Sequence, residues 1–316
     1  MRDILYLVIP CYNEEEVLEE TAKQLKKKMN ELIADGAVSR ESRIMFVNDG
    51  SKDNTWDIIQ KLHQKDEIFS GVALSRNRGH QNALLAGLMT AKEYADMVIS
   101  LDADLQDDIN AIDKFVEKYY EGYDIVYGVR NKRETDTFFK RNTALAFYKF
   151  QAFMGVDAVY NHADYRLMSK RALDGLEKFK EVNLFLRGIV PLIGYRYTTA
   201  AYNRNERFAG ESKYPLKKML AFALDGITSF SVKPIRFVAM TGFLIFAGSI
   251  LVIIYSLIRK IFGFTIGGWT FLACSIWLLG GIELLGLGIV GEYIGKIYSE
   301  TKQRPRYIIA EILNRK

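Results

Sequence analysis

The sequence predicts an α/β protein: a mostly parallel sheet domain, then an amphipathic helix, then a hydrophobic two-helix hairpin. Three observations predict it. Between residues 4 and 129, short β-rich runs alternate with amphipathic stretches, the pattern of a sheet covered by helices on both faces. The first four of those runs each end in a cluster of polar residues. The last third of the chain holds two stretches, 237–258 and 261–282, without a single charge.

The elements follow in order. Strands are expected at "ILYLVI" (4–9), "RIMFVN" (43–48), "GVALS" (71–75), "MVISL" (97–101) and "DIVYGV" (124–129). The first helix carries Leu18, Ala22, Leu25, Met29 and Leu32 on one stripe. Asn13 and Asp53 stand where N-caps are expected, and Asp107 and Asp108 where a cap precedes the fourth helix. A long helical stretch is expected near 136–154, and "YRYTTAAY" (195–202) is strand-like. Residues 1–212 thus form the sheet domain. Apolar residues at helical spacing beside lysines place a surface helix over 213–234.

The uncharged runs exceed the roughly 18 residues that mark a membrane-spanning helix, and the first would measure about 33 Å. Two spans are therefore expected within 235–298, near 237–258 and 269–291, with 299–316 as a tail. Lysines and arginines cluster before and after this pair, which puts the sheet domain and both termini in the cytoplasm and the protein in the inner or plasma membrane. The N-terminal apolar run is too short for a signal peptide. The net charge of +5 is concentrated around the hairpin, which favours anionic lipid over nucleic acid as its partner. Cys11 and Cys274 fall on opposite sides of this division, so no disulfide framework is expected. Glu283, inside the second run, calls for a partner or a cavity, and Gly280, Gly281, Gly286, Gly288 and Gly291 allow close helix contact and a homo-oligomer.

In a parallel sheet, ligands bind beyond the carboxyl ends of the strands. "PCYNEEE", "NDGSKDNT", "RNRGHQN" and "DADLQDD" all lie there. Asp102 and Asp104, with Gln106 two residues on, supply the hard oxygen ligands that suit Mg²⁺ or Mn²⁺ beside substrate phosphates. Gathering four aspartates in seven positions costs repulsion that a cation relieves, so this segment should be least settled when empty. Asp49 either meets a base or ribose or closes a tight turn with Gly50. Gly79 opens a helix beside Arg76 and Arg78, where N–H groups favour anions, and His80 reads as a polar contact or cap. No GxGxxG follows a predicted strand, the one such string (286–291) lying inside the second hydrophobic run, and no Walker lysine motif is present.

"VIPCYNEE", "VNDGSKDNT", "RNRGHQNALLAG", "LDADLQD", "ADYRLMS" and "NERFAGESKYPLKKM", followed by two hydrophobic segments, resemble family 2 glycosyltransferases, and more narrowly the polyprenyl-phosphate glycosyltransferases, which include bactoprenol glucosyltransferases and dolichyl-phosphate mannose synthases. The resemblance spans nearly the whole chain. It implies a GT-A, Rossmann-like fold, a nucleotide-sugar donor with a UDP-sugar favoured, inversion at the anomeric carbon, a polyprenyl phosphate acceptor, and a separate flippase for the product. It implies that Pro10, Tyr12, Glu14 and Asp49 hold the nucleoside, with Asp102 near the ribose or sugar, Asp104 in the donor site, and Asp104 with Gln106 binding the metal. Arg130, Arg204, Arg207, Ser212 and Lys213 would meet the acceptor phosphate. By family analogy Asp164 would be the catalytic base, acting with Asp102 and Arg130. A phosphate monoester is already mostly dianionic at neutral pH, so we expect Asp164 to orient a substrate instead. The best reading is glucose transfer from UDP-glucose to undecaprenyl phosphate, and three alternatives stand beside it, the first being the same reaction with GDP-mannose, UDP-GlcNAc, UDP-galactose or a modified sugar as donor. A processive polysaccharide synthase carries Gln-x-x-Arg-Trp, whereas "QRPRY" at 303–307 ends in Tyr and follows the hairpin. A non-catalytic nucleotide-sugar binding protein would have no need of Asp102, Asp104 and Arg130 together.

Overall fold

The computed structural model describes residues 2–130, 162–203, 233–262 and 268–314. Along them the elements are β1 (Leu5–Cys11), α1 (Leu18–Ala34), β2 (Arg43–Asn48), α2 (Thr55–Lys65), β3 (Phe69–Leu74), α3 (His80–Ala91), β4 (Met97–Ser100), α4 (Ala111–Tyr120), β5 (Ile125–Arg130), β6 (His162–Ser169), α5 (Lys170–Glu177), α6 (Leu186–Leu192), β7 (Tyr197–Tyr202), α7 (Lys233–Ile261), α8 (Trp269–Lys302) and β8 (Ile309–Leu313). The chain divides into two compact units, one built on the sheet and including the tail beyond Gln303, the other holding α7 and α8.

The sheet has eight strands in the order β7-β5-β6-β4-β1-β2-β3-β8. It is mixed, where a mostly parallel sheet was expected. β1, β2, β3 and β4 pair in parallel, as do β5 and β7, but β6 runs antiparallel between β4 and β5. β8 closes the opposite edge, antiparallel to β3. Strands β1 to β4 are buried on both faces, which is why they read as continuous apolar runs. α1 presents the predicted stripe, with Leu18, Ala22, Leu25, Met29 and Leu32 all buried.

The expected caps are corrected. Asn13 caps nothing: it sits at φ 54°, and its Oδ1 accepts from the Lys52 N–H at 2.9 Å, while α1 begins only at Leu18. Asp53 lies one residue before the N-cap position of α2, where its Oδ1 accepts from the Thr55 N–H and its Oδ2 from the Glu15 N–H.

The expected placement in a cell membrane is overturned: among the described residues no helix is long and apolar enough to cross a membrane. Large apolar side chains on both helices, Phe237, Phe243 and Leu284 among them, are exposed, and so is Glu283. A Cβ on Gly286 would approach Val238 Cγ1 to 3.2 Å, so this one of the five glycines faces α7 closely; the other four meet nothing within 4 Å among the described residues. The helix expected near 136–154 lies outside the described residues, as does the surface helix of 213–234 apart from its last two positions.

Candidate active site

Asp164 and Arg166 lie two residues apart on β6, hence on one face of the strand. Ser100 of β4 stands opposite Arg166, and its hydroxyl donates to the Asp164 carbonyl at 2.5 Å. Because β6 is antiparallel to β4, its entry lies beside the exit of β4, so Asp164 arrives at the edge where Asp102 leaves the sheet.

Asp164 is almost fully buried and clamped by cations. Arg166 Nη2 donates to Oδ1 at 2.5 Å; Arg187, on α6, donates from Nε to Oδ1 at 3.2 Å and from Nη2 to Oδ2 at 3.0 Å. His80 Nε2, at the start of α3, lies 3.7 Å from Asp164 Oδ2 and 3.8 Å from Asp102 Oδ1. Burial alone pushes the Asp164 carboxyl up, but His80 and the guanidinium groups of Arg187 and Arg166 hold it well below the usual carboxylate range. Burial lowers the His80 pKa, and the carboxylates of Asp164 and Asp102 outweigh it, so the imidazole ends above its ordinary value.

The loops at the ends of β1 and β2 interlock. Asn13 N–H donates to Ser51 Oγ at 3.0 Å, Glu14 N–H to Thr55 Oγ1 at 2.9 Å, and the Asn54 amide to Glu15 Oε2 at 2.8 Å. Tyr12 is exposed above them, and Pro10 lies in β1 opposite Val47. Asp49 is 2% exposed, and its two oxygens accept from the backbone N–H groups of Arg78 and Gly79 at 2.7 and 2.9 Å. Burial raises its carboxyl, with those two amides opposing. Gly50 makes this grip possible. It sits at φ 63°, and a Cβ there would come within 2.5 Å of the Asn77 nitrogen. Asp49 thereby fixes the loop that launches α3.

The acidic loop after β4 is anchored at several points. Thr21 Oγ1 of α1 donates to the Ala103 carbonyl at 2.8 Å, Tyr165 OH to the Asp108 carbonyl at 3.1 Å, and Tyr202 OH to Asp107 Oδ1 at 2.6 Å. Leu105 turns the loop at φ 56°, a conformation rarely adopted by so bulky a residue, and the Gln106 N–H donates to Asp104 Oδ1 at 3.2 Å. Asp107 is no helix cap: it is 4% exposed, with Arg130 Nη2 3.6 Å away. Asp108 does serve the next turn, its Oδ1 accepting from the Asn110 N–H at 3.0 Å.

Among the described residues no three His, Cys, Asp or Glu side chains gather to hold a metal by themselves. A Mg²⁺ or Mn²⁺ that completes its shell from phosphates and water needs only one or two carboxylates, and Asp102, Asp104 and Gln106 offer that set of donors. Crowded negative charge is already felt there: burial pushes the Asp102 carboxyl up to about 6, with Asp164, Asp107 and Asp104 adding to it and His80 opposing.

Arg130 ends β5, where its Nε donates to Tyr202 OH at 3.3 Å. Arg204, Arg207, Ser212 and Lys213 lie outside the described residues. The structure also brings in groups that sequence reasoning passed over. Arg166, Arg187, Tyr202 and the buried role of Asp107 were missed, whereas His80, expected as a polar contact or cap, is such a contact to Asp102 and Asp164. Arg166 had a usable signal, since opposite charges at i and i+2 within an apolar strand imply a buried pair.

A polar site beyond the carboxyl ends of β1, β2 and β4, with paired carboxylates facing a row of cations, is that of a glycosyltransferase built on a GT-A-like mixed α/β sheet. The model for glycosyl transferase family 2 matches residues 6–176, more than half of the chain, and the chain belongs to that family. It is 55% identical over 306 residues to the uncharacterized glycosyltransferase YkoT of Bacillus subtilis (strain 168), covering 97% of this chain and 91% of that protein. It is 40% identical over 305 residues to the bactoprenol glucosyl transferase of Shigella phage SfX, covering 96% and 97% of the two. Among solved structures, glucosyl-3-phosphoglycerate synthase from Mycobacterium tuberculosis aligns with a TM-score of 0.46 at 17% identity, covering 72% of this chain and 76% of that one.

Proposed function

We propose that this glycosyltransferase moves glucose from UDP-glucose to a polyprenyl phosphate such as undecaprenyl phosphate, with inversion at the anomeric carbon. A phosphate oxygen of the acceptor attacks the anomeric carbon from the face opposite the leaving group. The bond from that carbon to the diphosphate breaks, and UDP departs with the electron pair. Full-length similarity to proteins named bactoprenol glucosyl transferase supports the choice of sugar and acceptor.

The observation that carries the reading is the state of Asp164. A hydroxyl acceptor must lose a proton as it attacks, which calls for a base within reach. Asp164, in the position the family analogy gives to the base, is held ionised by His80, Arg166 and Arg187 and has little affinity for a proton. An acceptor that arrives as an anion has no use for one. Asp164 then keeps Arg187 and His80 in place around the sugar, Tyr12 and Glu14 line the nucleoside side, and Arg130 meets the acceptor phosphate. A Mg²⁺ or Mn²⁺ held by Asp104 and Gln106 supplies Lewis-acid neutralisation of the leaving diphosphate.

The test offers labelled UDP-glucose, UDP-GlcNAc, UDP-galactose and GDP-mannose to the full chain with undecaprenyl phosphate in detergent, with and without Mn²⁺, and then extracts the lipid. Label from UDP-glucose enters the lipid in the Mn²⁺ reactions. Label that stays out of the lipid with every donor defeats the proposal.

A further inference from the structure

We infer that Tyr202 and Asp107 are positioning residues for Arg130, so that the acidic loop after β4 also aims the cation assigned to the acceptor phosphate; this rests on the reading of Arg130 given above. Tyr202 OH donates its single proton to Asp107 Oδ1 at 2.6 Å, which leaves the hydroxyl lone pairs to accept from Arg130 Nε at 3.3 Å. Arg130 Nη2 lies 3.6 Å from the same Asp107 oxygen. The guanidinium is therefore held at two nitrogens, through a hydroxyl and a carboxylate that also hold each other.

Burial divides the labour. Asp107 and Tyr202 are 4% and 2% exposed, whereas the Arg130 side chain is 29% exposed. The group that an incoming anion can reach is outermost, and the groups that direct it are shielded from water. Strand register sets their spacing, because β5 and β7 are parallel with Arg130 opposite Tyr202. The Tyr202 ring is fixed as well. Tyr165 meets it edge-on at 5.2 Å, and the bare face of Gly128, where a Cβ would lie 3.0 Å from Tyr202 Cε1, gives it room. An arginine fixed this way loses little rotamer freedom when it meets a phosphate, so the order is present before the substrate arrives. Asp107 is three residues beyond Asp104, and one short segment thus serves the donor on one side and the acceptor's cation on the other.

A double-mutant cycle tests this on the full chain, with UDP-glucose and undecaprenyl phosphate in detergent. Tyr202→Phe keeps the ring and removes only the hydroxyl. It should raise the acceptor KM about tenfold, while the donor KM stays within about twofold. In an Arg130→Ala background the same change should add nothing, because its effect passes through the guanidinium. Asp107→Asn retains an oxygen acceptor for Tyr202 and should lose less than Asp107→Ala. Full additivity of the Tyr202 and Arg130 changes, or a donor KM that rises as much as the acceptor KM, overturns the inference. An Arg130→Ala chain whose acceptor KM is unchanged removes the acceptor reading of Arg130 instead. Substrate-free NMR then judges the positioning: the Arg130 Nε–H signal, identified by its loss in Arg130→Lys, should exchange slowly with solvent in the unsubstituted chain and faster in Tyr202→Phe. Equal exchange in both overturns it, whatever the donor or acceptor proves to be.

Discussion

Asp164 ties the candidate site to the fold, because one of the cations that keep it ionised has almost no access to water. The buried guanidinium of Arg166, 1% exposed, has this carboxylate as its charge partner, so Asp164→Asn leaves a charge in the core with a weaker acceptor. Breaking such a pair costs about 3 kcal/mol or more, which for a domain of this size lowers Tm by about 6–12 °C in a thermal melt followed by circular dichroism. The pH dependence has a defined sign. The folded pKa of Asp164 lies below the unfolded value of about 3.9, so the clamp's contribution is fully present above about pH 4 and is lost as pH falls through the folded value. The unsubstituted chain should lose stability on acidification below about pH 4 more steeply than Asp164→Asn. Across pH 5–8 Asp164 stays ionised, so the substitution should abolish no limb of the transfer-rate profile, although limbs set by His80 or Asp102, whose pKa values Asp164 holds up, should move to lower pH. A limb of the rate profile that vanishes only in Asp164→Asn would return it to the role of a base.

The elements divide into those legible in the sequence and those that only the assembled sheet reveals. β1 to β5 fall within about two residues of their expected positions, because strands buried on both faces must be apolar throughout, and little else in a sequence looks the same. β6 escaped because its buried face carries Asp164 and Arg166, which satisfy each other, and a polar pair hides a strand from any search for apolar runs. The site follows the same division. Asp102, Asp104 and Arg130 were legible as charges at strand ends, whereas Tyr202 and Arg187 were not, since nothing in "YTTAAY" or "FLRGI" says what the neighbouring strand brings alongside. α3 gives this scale its prediction. It lies directly on β1 and β2 because Gly87 has no side chain: a Cβ there would come within 2.5 Å of both Val8 Cγ1 and Val47 Cγ2. β-branched valines in a packed sheet have little freedom to yield. Gly87→Ala should therefore cost about 1–3 kcal/mol in urea denaturation and shift the head of the helix, where His80 meets Asp102 and Asp164. An alanine variant as stable as the original would show that α3 can ride further from the sheet than this packing implies.

At the scale of the whole molecule, the chain after α8 returns to complete the unit where it began. Nothing in the sequence of 304–316 announced a strand, since "YIIAEIL" is short and its partner lies more than two hundred residues earlier. Yet β8 pairs with β3 from Gly71 opposite Leu313 to Leu74 opposite Ile309, and Leu313 packs against the core. Three further contacts pin the approach to that strand. Arg78 Nη2 donates to the Pro305 carbonyl at 2.6 Å, the Ser75 N–H to the Ile308 carbonyl at 2.9 Å, and Arg306 Nη1 to the Phe179 carbonyl at 3.0 Å. The first of these reaches the same loop that Asp49 grips through its backbone, so the tail and the end of β2 hold the start of α3 from two sides. A chain ending at Gln303 keeps both helices of the second unit and loses only this return. It forfeits the burial of Leu313 and a set of hydrogen bonds, together about 3 kcal/mol, and leaves β3 as an uncovered edge. Urea denaturation of the sheet unit should shift to a lower midpoint by that amount, and size-exclusion chromatography should show self-association beyond that of the full chain. A truncated chain with the same midpoint and the same elution would mean that β8 is an ornament of the sheet rather than one of its supports.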